Sequence, residues 1–310
     1  MTNLKKLGLT ALAGSLVATS TYAGALDVSG AAKVTYVSKD ETEVTGNPFS
    51  MTRDITFSGS GELDNGMNIS YFQMLSAGAF SSSGLTLDMG DAGKLGLMNG
   101  ASGGFGISAY DDKMPTAGEQ VWDDLDGEAN GLVGISKENT LGYSNSIAGF
   151  GVSISYNPDG GTTTAESSKS AVISAAPMDG LSVFYGVADK AGTTVNNGTD
   201  QWTAGAVYTA GAVTAGLQLS SIDSATAGSD QDRTHIAASF AVNEDLSVSY
   251  GMSTVEFEAA SKVDQEDSGF AVSYTMGSMS ISASANNSDN VGGTNGTDDT
   301  HKEISIAFAF

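Results

Sequence analysis

The run Arg53-Asp54-Ile55-Thr56-Phe57-Ser58-Gly59-Ser60-Gly61-Glu62-Leu63-Asp64-Asn65-Gly66-Met67-Asn68-Ile69-Ser70-Tyr71 decides how the rest of the chain is read. Ile55, Phe57 and Leu63 alternate with Asp54, Thr56, Ser58, Ser60 and Glu62. Beyond Asn65-Gly66, Met67, Ile69 and Tyr71 resume the apolar series. Successive side chains of a strand point to opposite faces, so each run carries one apolar and one polar side. Asn-Gly between two such runs is the strongest local hairpin signal and predicts positive φ at both turn positions.

The same period of two recurs on both sides of this hairpin. Leu26, Val28, Val34 and Tyr36 share one parity, and Lys33 falls on the polar one. Leu85 and Leu87 meet Leu95 and Leu97; Leu141 and Tyr143 meet Phe150, Val152, Ile154 and Tyr156. Five further alternating runs or pairs carry the pattern to Ile304, Ile306, Phe308 and Phe310. The count is about sixteen strands, an even number. Short turns alternate with longer polar connections at 38–48, 158–168, 191–200, 222–232 and 287–300. An antiparallel ring with turns at one end and loops at the other has that pattern, whereas a Greek-key sandwich has no reason to keep it.

Aromatics sort with the strand ends. Tyr36, Tyr71, Tyr156, Tyr185, Trp202, Tyr250 and Phe270 read to the long-loop side. Tyr143, Phe150, Tyr208, Phe240, Tyr274, Phe308 and Phe310 read to the short-turn side. Two aromatic girdles around an apolar band mark the interfaces of a bilayer. The expected fold class is therefore all-β, a transmembrane antiparallel β-barrel with both ends of the barrel domain on the periplasmic side.

Residues 1–25 read as a secretory signal peptide: Lys5 and Lys6, the apolar stretch Leu7 to Ala18, then cleavage after Ala23 or Ala25. Residues 26–310 then form a single barrel domain. Apolar runs after the leader are all too short for a membrane helix. The chain has no cysteine, so an exported protein of this sequence has no disulfide to rely on. It holds 13 basic residues, two of them in the leader, against 36 acidic ones. That balance excludes nucleic acid as a partner and suits a solvated exterior or a route for cations.

Alternation fails only between 99 and 138. Seven acids, Asp111, Asp112, Glu119, Asp123, Asp124, Asp126 and Glu128, accompany one base, Lys113, in this stretch up to Glu128. A loop so long within a compact domain usually has a function. Either it is a solvated surface loop or it sits inside the wall. Asp124-Leu125-Asp126-Gly127-Glu128 and Asp298-Asp299 offer oxygen atoms to calcium, but neither is an EF-hand loop. No cofactor is expected. His235 and His301 read as ordinary residues near the rim, and no nucleophile signature such as G-x-S-x-G accompanies them.

The hairpin 53–66 resembles the second-strand hairpin of the general diffusion porins of Gram-negative outer membranes. Asn139-Thr140-Leu141-Gly142-Tyr143-Ser144 with Gly149-Phe150-Gly151-Val152-Ser153-Ile154-Ser155-Tyr156 is similar to that family too. The final alternation with Phe308 and Phe310 looks like the signal read by the outer-membrane assembly machinery. The resemblance implies a sixteen-stranded barrel in the outer membrane, a homotrimer, in contact with lipopolysaccharide and passing small hydrophilic solutes without catalysis; the acidic stretch adds the expectation that cations are preferred. It also implies that the third long loop folds into the lumen and places the seven acids at the constriction. Val121, Trp122 and Leu125 would then pack a short helix on the wall. Porins of this kind set a basic cluster opposite the loop. Here only Lys33, Lys94 and Arg233 stand out, which is a departure from the family. A non-conducting adhesive barrel and a barrel enzyme are the alternatives.

Overall fold

A computed structural model describes residues 26–39, 46–101, 103–111, 113–127, 131–132, 139–158, 167–190 and 198–310. The expected leader, residues 1–25, lies outside the described residues, as do Asp112 and Glu128. Sixteen strands close into one antiparallel barrel. In chain order these are β1 (Leu26–Lys39), β2 (Phe49–Glu62), β3 (Asn68–Ser76), β4 (Ala79–Asp88), β5 (Lys94–Asn99), β6 (Thr140–Ile147), β7 (Phe150–Asn157) and β8 (Ser168–Met178). There follow β9 (Leu181–Lys190), β10 (Thr199–Ala210), β11 (Val213–Ser224), β12 (Gln231–Ala241), β13 (Leu246–Phe257), β14 (Gln265–Met276), β15 (Met279–Asp289) and β16 (Asp299–Ala309).

Each strand pairs with its sequence neighbour, and β1 pairs with β16 from Ala31↔Ala309 to Lys39↔His301. At the foot of that seam Gly30 and Phe310 exchange both backbone hydrogen bonds, at 3.1 and 2.8 Å. Closure is what lets strands cross a bilayer, since every ladder donor and acceptor finds a partner and no edge meets lipid. The outer face follows the period of two. On β13, Val248, Tyr250 and Met252 point outward, and the next outward positions are Thr254 and Glu256. Phe270 on β14 sits opposite Tyr250, with Glu266 above it. The apolar band thus ends at Phe270 on β14 and one outward position past Tyr250 on β13, and carboxylates stand above it.

Three local expectations change. Only Gly66 has positive φ in the 53–71 hairpin (81°), and Leu63 N bonds to Met67 O at 2.7 Å. This is a three-residue loop ending in a left-handed glycine, a different turn from the two-residue kind. The two-residue kind occurs instead at Ala77-Gly78, with φ of 51° and 90°. That turn joins β3 to β4 at the end where the other connections are longer. The 99–138 insert is therefore the third connection at its end, but the second is tight. Because β3 runs on to Ser76, Tyr71 lies near the start of its strand, level with Gly59 and Leu26. It belongs to the short-turn girdle. Tyr36, Tyr156 and Trp202 keep the long-loop end and Tyr143, Phe150, Tyr208, Phe240, Tyr274, Phe308 and Phe310 the short-turn end, while Tyr185, Tyr250 and Phe270 lie near the middle of their strands.

Candidate functional site

The connection between β5 and β6, here L3, lies inside the barrel. Its described backbone is fastened to one wall strand after another. Gly106 N and Ile107 N donate to Ser153 Oγ of β7 and Ser170 Oγ of β8, both at 2.9 Å. Gln218 Nε2 of β11 donates to Tyr110 O at 2.8 Å, and Ala117 N to Ser249 Oγ of β13 at 2.8 Å. Asn286 Nδ2 of β15 donates to Gln120 O at 2.9 Å, and Asp126 N to Asp299 Oδ2 of β16 at 2.6 Å. The lumen parity of the wall supplies short hydroxyl and amide side chains at the places where the loop's irregular backbone needs partners.

Apolar side chains of L3 press on the wall where it lacks a Cβ. A Cβ on Gly142 would stand 2.1 Å from Phe105 Cγ, one on Gly216 would stand 2.8 Å from Met114 Sδ, and one on Gly251 2.8 Å from Val121 Cγ1. Glycine within a strand marks a close approach of this kind. Val121, Trp122 and Leu125 are buried as the resemblance implied, but in a different conformation. The segment turns through Asp123 N to Gln120 O and Leu125 N to Trp122 O bonds, and Asp124 has φ 61°. No helix forms over these residues. The left-handed step at Asp124 breaks it.

Trp122 is the bulkiest anchor, with the Arg233 guanidinium 4.2 Å above its ring and the His235 ring 4.3 Å away edge-on. Both histidines therefore differ from the rim residues expected. His235 and His301 are each only 2% exposed, on the lumen wall beside the inserted loop.

The expected acids take separate places. Asp111 and Asp123 are half-buried, and Asp123 Oδ2 accepts from Gln120 N at 2.7 Å. Glu119 reaches Lys33 of β1, at 3.6 Å, and accepts from Ser284 Oγ of β15 at 3.2 Å. Burial first, and then the negative charge of Glu303, push the Glu119 carboxyl above its ordinary pKa, while Lys33 works against this. Asp124 and Asp126 are exposed. Glu119 and Asp124 come together with His301 and Glu303; Asp111 sits earlier on the loop, beside Tyr110.

The three expected lumen bases each meet a carboxylate. Lys33 Nζ lies 3.2 Å from Glu303 Oε1, and Lys94 Nζ 3.2 Å from Asp88 Oδ2 near the short-turn end. Arg233 lies beneath L3, 3.2 Å from Asp267 Oδ2, with both side chains essentially sealed from solvent. Lys190 also has lumen parity and was legible from it, but was not singled out. Glu303 and Asn286 carry no signal of a site in the sequence, while Asp299, a possible calcium ligand, and His301, expected at the rim, prove to be buried partners of L3. All four share the inward parity of β15 and β16, and nothing local shows that a loop from β5 arrives there.

A family model described as Gram-negative porin matches residues 8–310. No curated protein sequence matches the chain. Among solved structures, the anion-selective porin from Comamonas acidovorans is 17% identical and covers 93% of this chain and 100% of its own, with a TM-score of 0.66. A porin refined at 1.8 Å aligns at 16% identity over 92% of this chain and 100% of its own, with a TM-score of 0.72. A double mutant of the Rh. blastica porin aligns at 15% identity over 92% and 100%, with a TM-score of 0.65. Closed sixteen-strand wall, inserted loop and family match agree, and the chain belongs to the Gram-negative porins, forming an outer-membrane channel for passive diffusion of small hydrophilic solutes.

Proposed function

We propose that the channel prefers cations and that the acids of L3 set the preference at its constriction. The observation that carries this reading is the pairing of charges. Lys33, Lys94 and Arg233 are each matched by a carboxylate, while Asp124 and Asp126 stand exposed on the inserted loop. The lumen parity of β2 adds Asp54 and Glu62 on the uncovered wall. A narrow aqueous path between low-dielectric walls focuses such a field. Family membership does not decide the sign, since the Comamonas relative is described as anion-selective.

Zero-current potentials in a KCl gradient test the proposal. Replacing Glu119, Asp123, Asp124, Asp126 and Glu128 by their amides should move the potential toward the anion side. The shift should be largest in dilute salt, because the Debye length is about 10 Å at 0.1 M and about 3 Å at 1 M. The same change at Asp298, exposed on the connection between β15 and β16, should do much less. An unmoved potential in the amide variant sinks the reading.

Three finer points belong to the same proposal. Residues 1–25 direct export, which N-terminal sequencing of the mature protein checks. Phe310 guides assembly, supported by its place at the seam; a variant lacking it that reaches the membrane normally would refute this. The barrel is a homotrimer set among lipopolysaccharide. Arg53 supports this, because it points outward between Met51 and Ile55, where a neighbouring protomer would suit it better than lipid. A monomeric mass in native detergent solution would count against it.

A further inference from the structure

We propose that His301, Glu303, Glu119 and Asp124 form a binding site for one divalent transition-metal ion, of which Zn2+ is the suitable probe. One ligand atom from each lies within 4.8 Å of every other. Two come from L3 and two from β16, so the site spans loop and wall.

The histidine is what separates this group from an ordinary acidic patch. His301 is 2% exposed, and among the described residues neither ring nitrogen has a hydrogen-bond partner. Its Nε2 lies 3.8 Å from Asp124 Oδ2 and 3.9 Å from Glu303 Oε2, beyond hydrogen-bond length. A buried imidazole left without partners is costly, and a lone pair aimed at carboxylates is the arrangement a metal ion resolves. Zn2+ takes nitrogen at about 2.0–2.1 Å and carboxylate oxygen at about 2.0–2.2 Å, so tetrahedral ligand atoms stand roughly 3.3 Å apart. The two imidazole–carboxylate separations need to close by only about half an ångström to meet that spacing, and no pair of the four ligand atoms by more than about 1.5 Å.

Imidazole with carboxylates favours a borderline ion over Mg2+ or Ca2+, which take oxygen alone. Lys33 does not fill the site. It lies 3.2 Å from Oε1 of Glu303, and the opposite oxygen, Oε2, faces the imidazole. Its ammonium also lies 3.6 Å from Glu119 Oε1 and so competes for charge. A bound ion would pin L3 to β16 and cancel two negative charges beside the channel. That last consequence rests on the constriction reading above; binding itself does not.

Calorimetric titration of the folded, detergent-solubilised barrel with ZnCl2 tests the site, with MgCl2 as the hard-ion control. The expected result is saturable binding of one Zn2+ per chain. His301→Gln should weaken it by at least the roughly 10-fold that loss of a mere second-shell partner costs. Asp124→Asn, at an exposed position, should weaken it in a barrel whose folding is not in question. Lys33→Gln should tighten it. Equal Zn2+ affinity in wild type and both weakening variants, or Mg2+ binding as tightly as Zn2+, would overturn the site. Reversal potentials measured with and without Zn2+ separate the two readings. Binding with the expected variant pattern but no change of potential keeps the metal site and removes the acids from the constriction.

Discussion

The inner wall consists of two arcs built on different terms. From β6 round to β15 the lumen positions beneath L3 are glycines, serines and buried amides, such as Gly142, Ser153, Gly216, Gly251 and Asn286. Along β1 and β2 they include Asp27, Ser29, Thr52 and Glu62, which are open to water. The first arc is a protein interior folded outside in. It must match the shape of one particular loop, atom for atom, because both sides are packed. The second has only to be wettable and to carry charge. Substitutions should therefore act on stability along one arc and on ion flow along the other.

The largest expected effect is at the buried ion pair of the covered arc. Arg233→Met leaves Asp267 sealed without its partner, and breaking such a pair costs about 3–5 kcal/mol. Lys33→Met on the open arc breaks a pair in which the lysine is 40% exposed and Glu303 only 8%, so water reaches one partner and the loss should stay below that of Arg233→Met. Urea or thermal unfolding of the two variants gives the contrast directly. Similar losses would erase the distinction between the arcs.

Next in size is Trp122→Ala, which removes the ring packed between Arg233 and His235. Truncating a buried aromatic costs about 3–5 kcal/mol in a closed core, and less here because the loop can move instead of the wall. The barrel should keep its heat-modifiable gel migration while L3 becomes sensitive to protease and conductance becomes noisier. A quiet, protease-resistant channel would show that the ladder of hydrogen bonds holds the loop without Trp122.

The smallest effect is at Asp54→Asn, on the open arc. It should leave stability within about 0.5 kcal/mol and shift the zero-current potential slightly toward anions, less than the L3 amides do. A shift as large as theirs would move the controlling charge from loop to wall.

The strands were legible because the alternation of Ile55, Phe57 and their neighbours is a local pattern imposed by two different solvents. Strand ends were less so. Nothing at Phe72 or Gln73 announces that β3 continues to Ser76, and hence Tyr71 went to the wrong girdle. Val121, Trp122 and Leu125 have helix-like spacing, yet Trp122 is buried against Arg233 and His235 and Val121 against Gly251, all more than a hundred residues away. The inward glycines were present in the sequence as interruptions of the polar parity. Their meaning depends on which side chain arrives, and that information lies on L3. His301 is the extreme case, since a histidine on a polar face looks solvated until the loop that covers it is in place.

The seam between β1 and β16 has a consequence for how such a chain reaches its working form. Ala31 and Ala309 are partners about 280 residues apart, and joining them costs on the order of 5 kcal/mol of chain entropy before any contact repays it. Until then β1 is a fourteen-residue unpaired edge, the kind of strand that recruits foreign strands. A stalled or shortened chain thus does not make a smaller barrel; it makes a sheet with two adhesive borders. Ring formation is a single late event of high contact order, so keeping the two borders apart from other chains in transit matters as much as the stability of the finished wall.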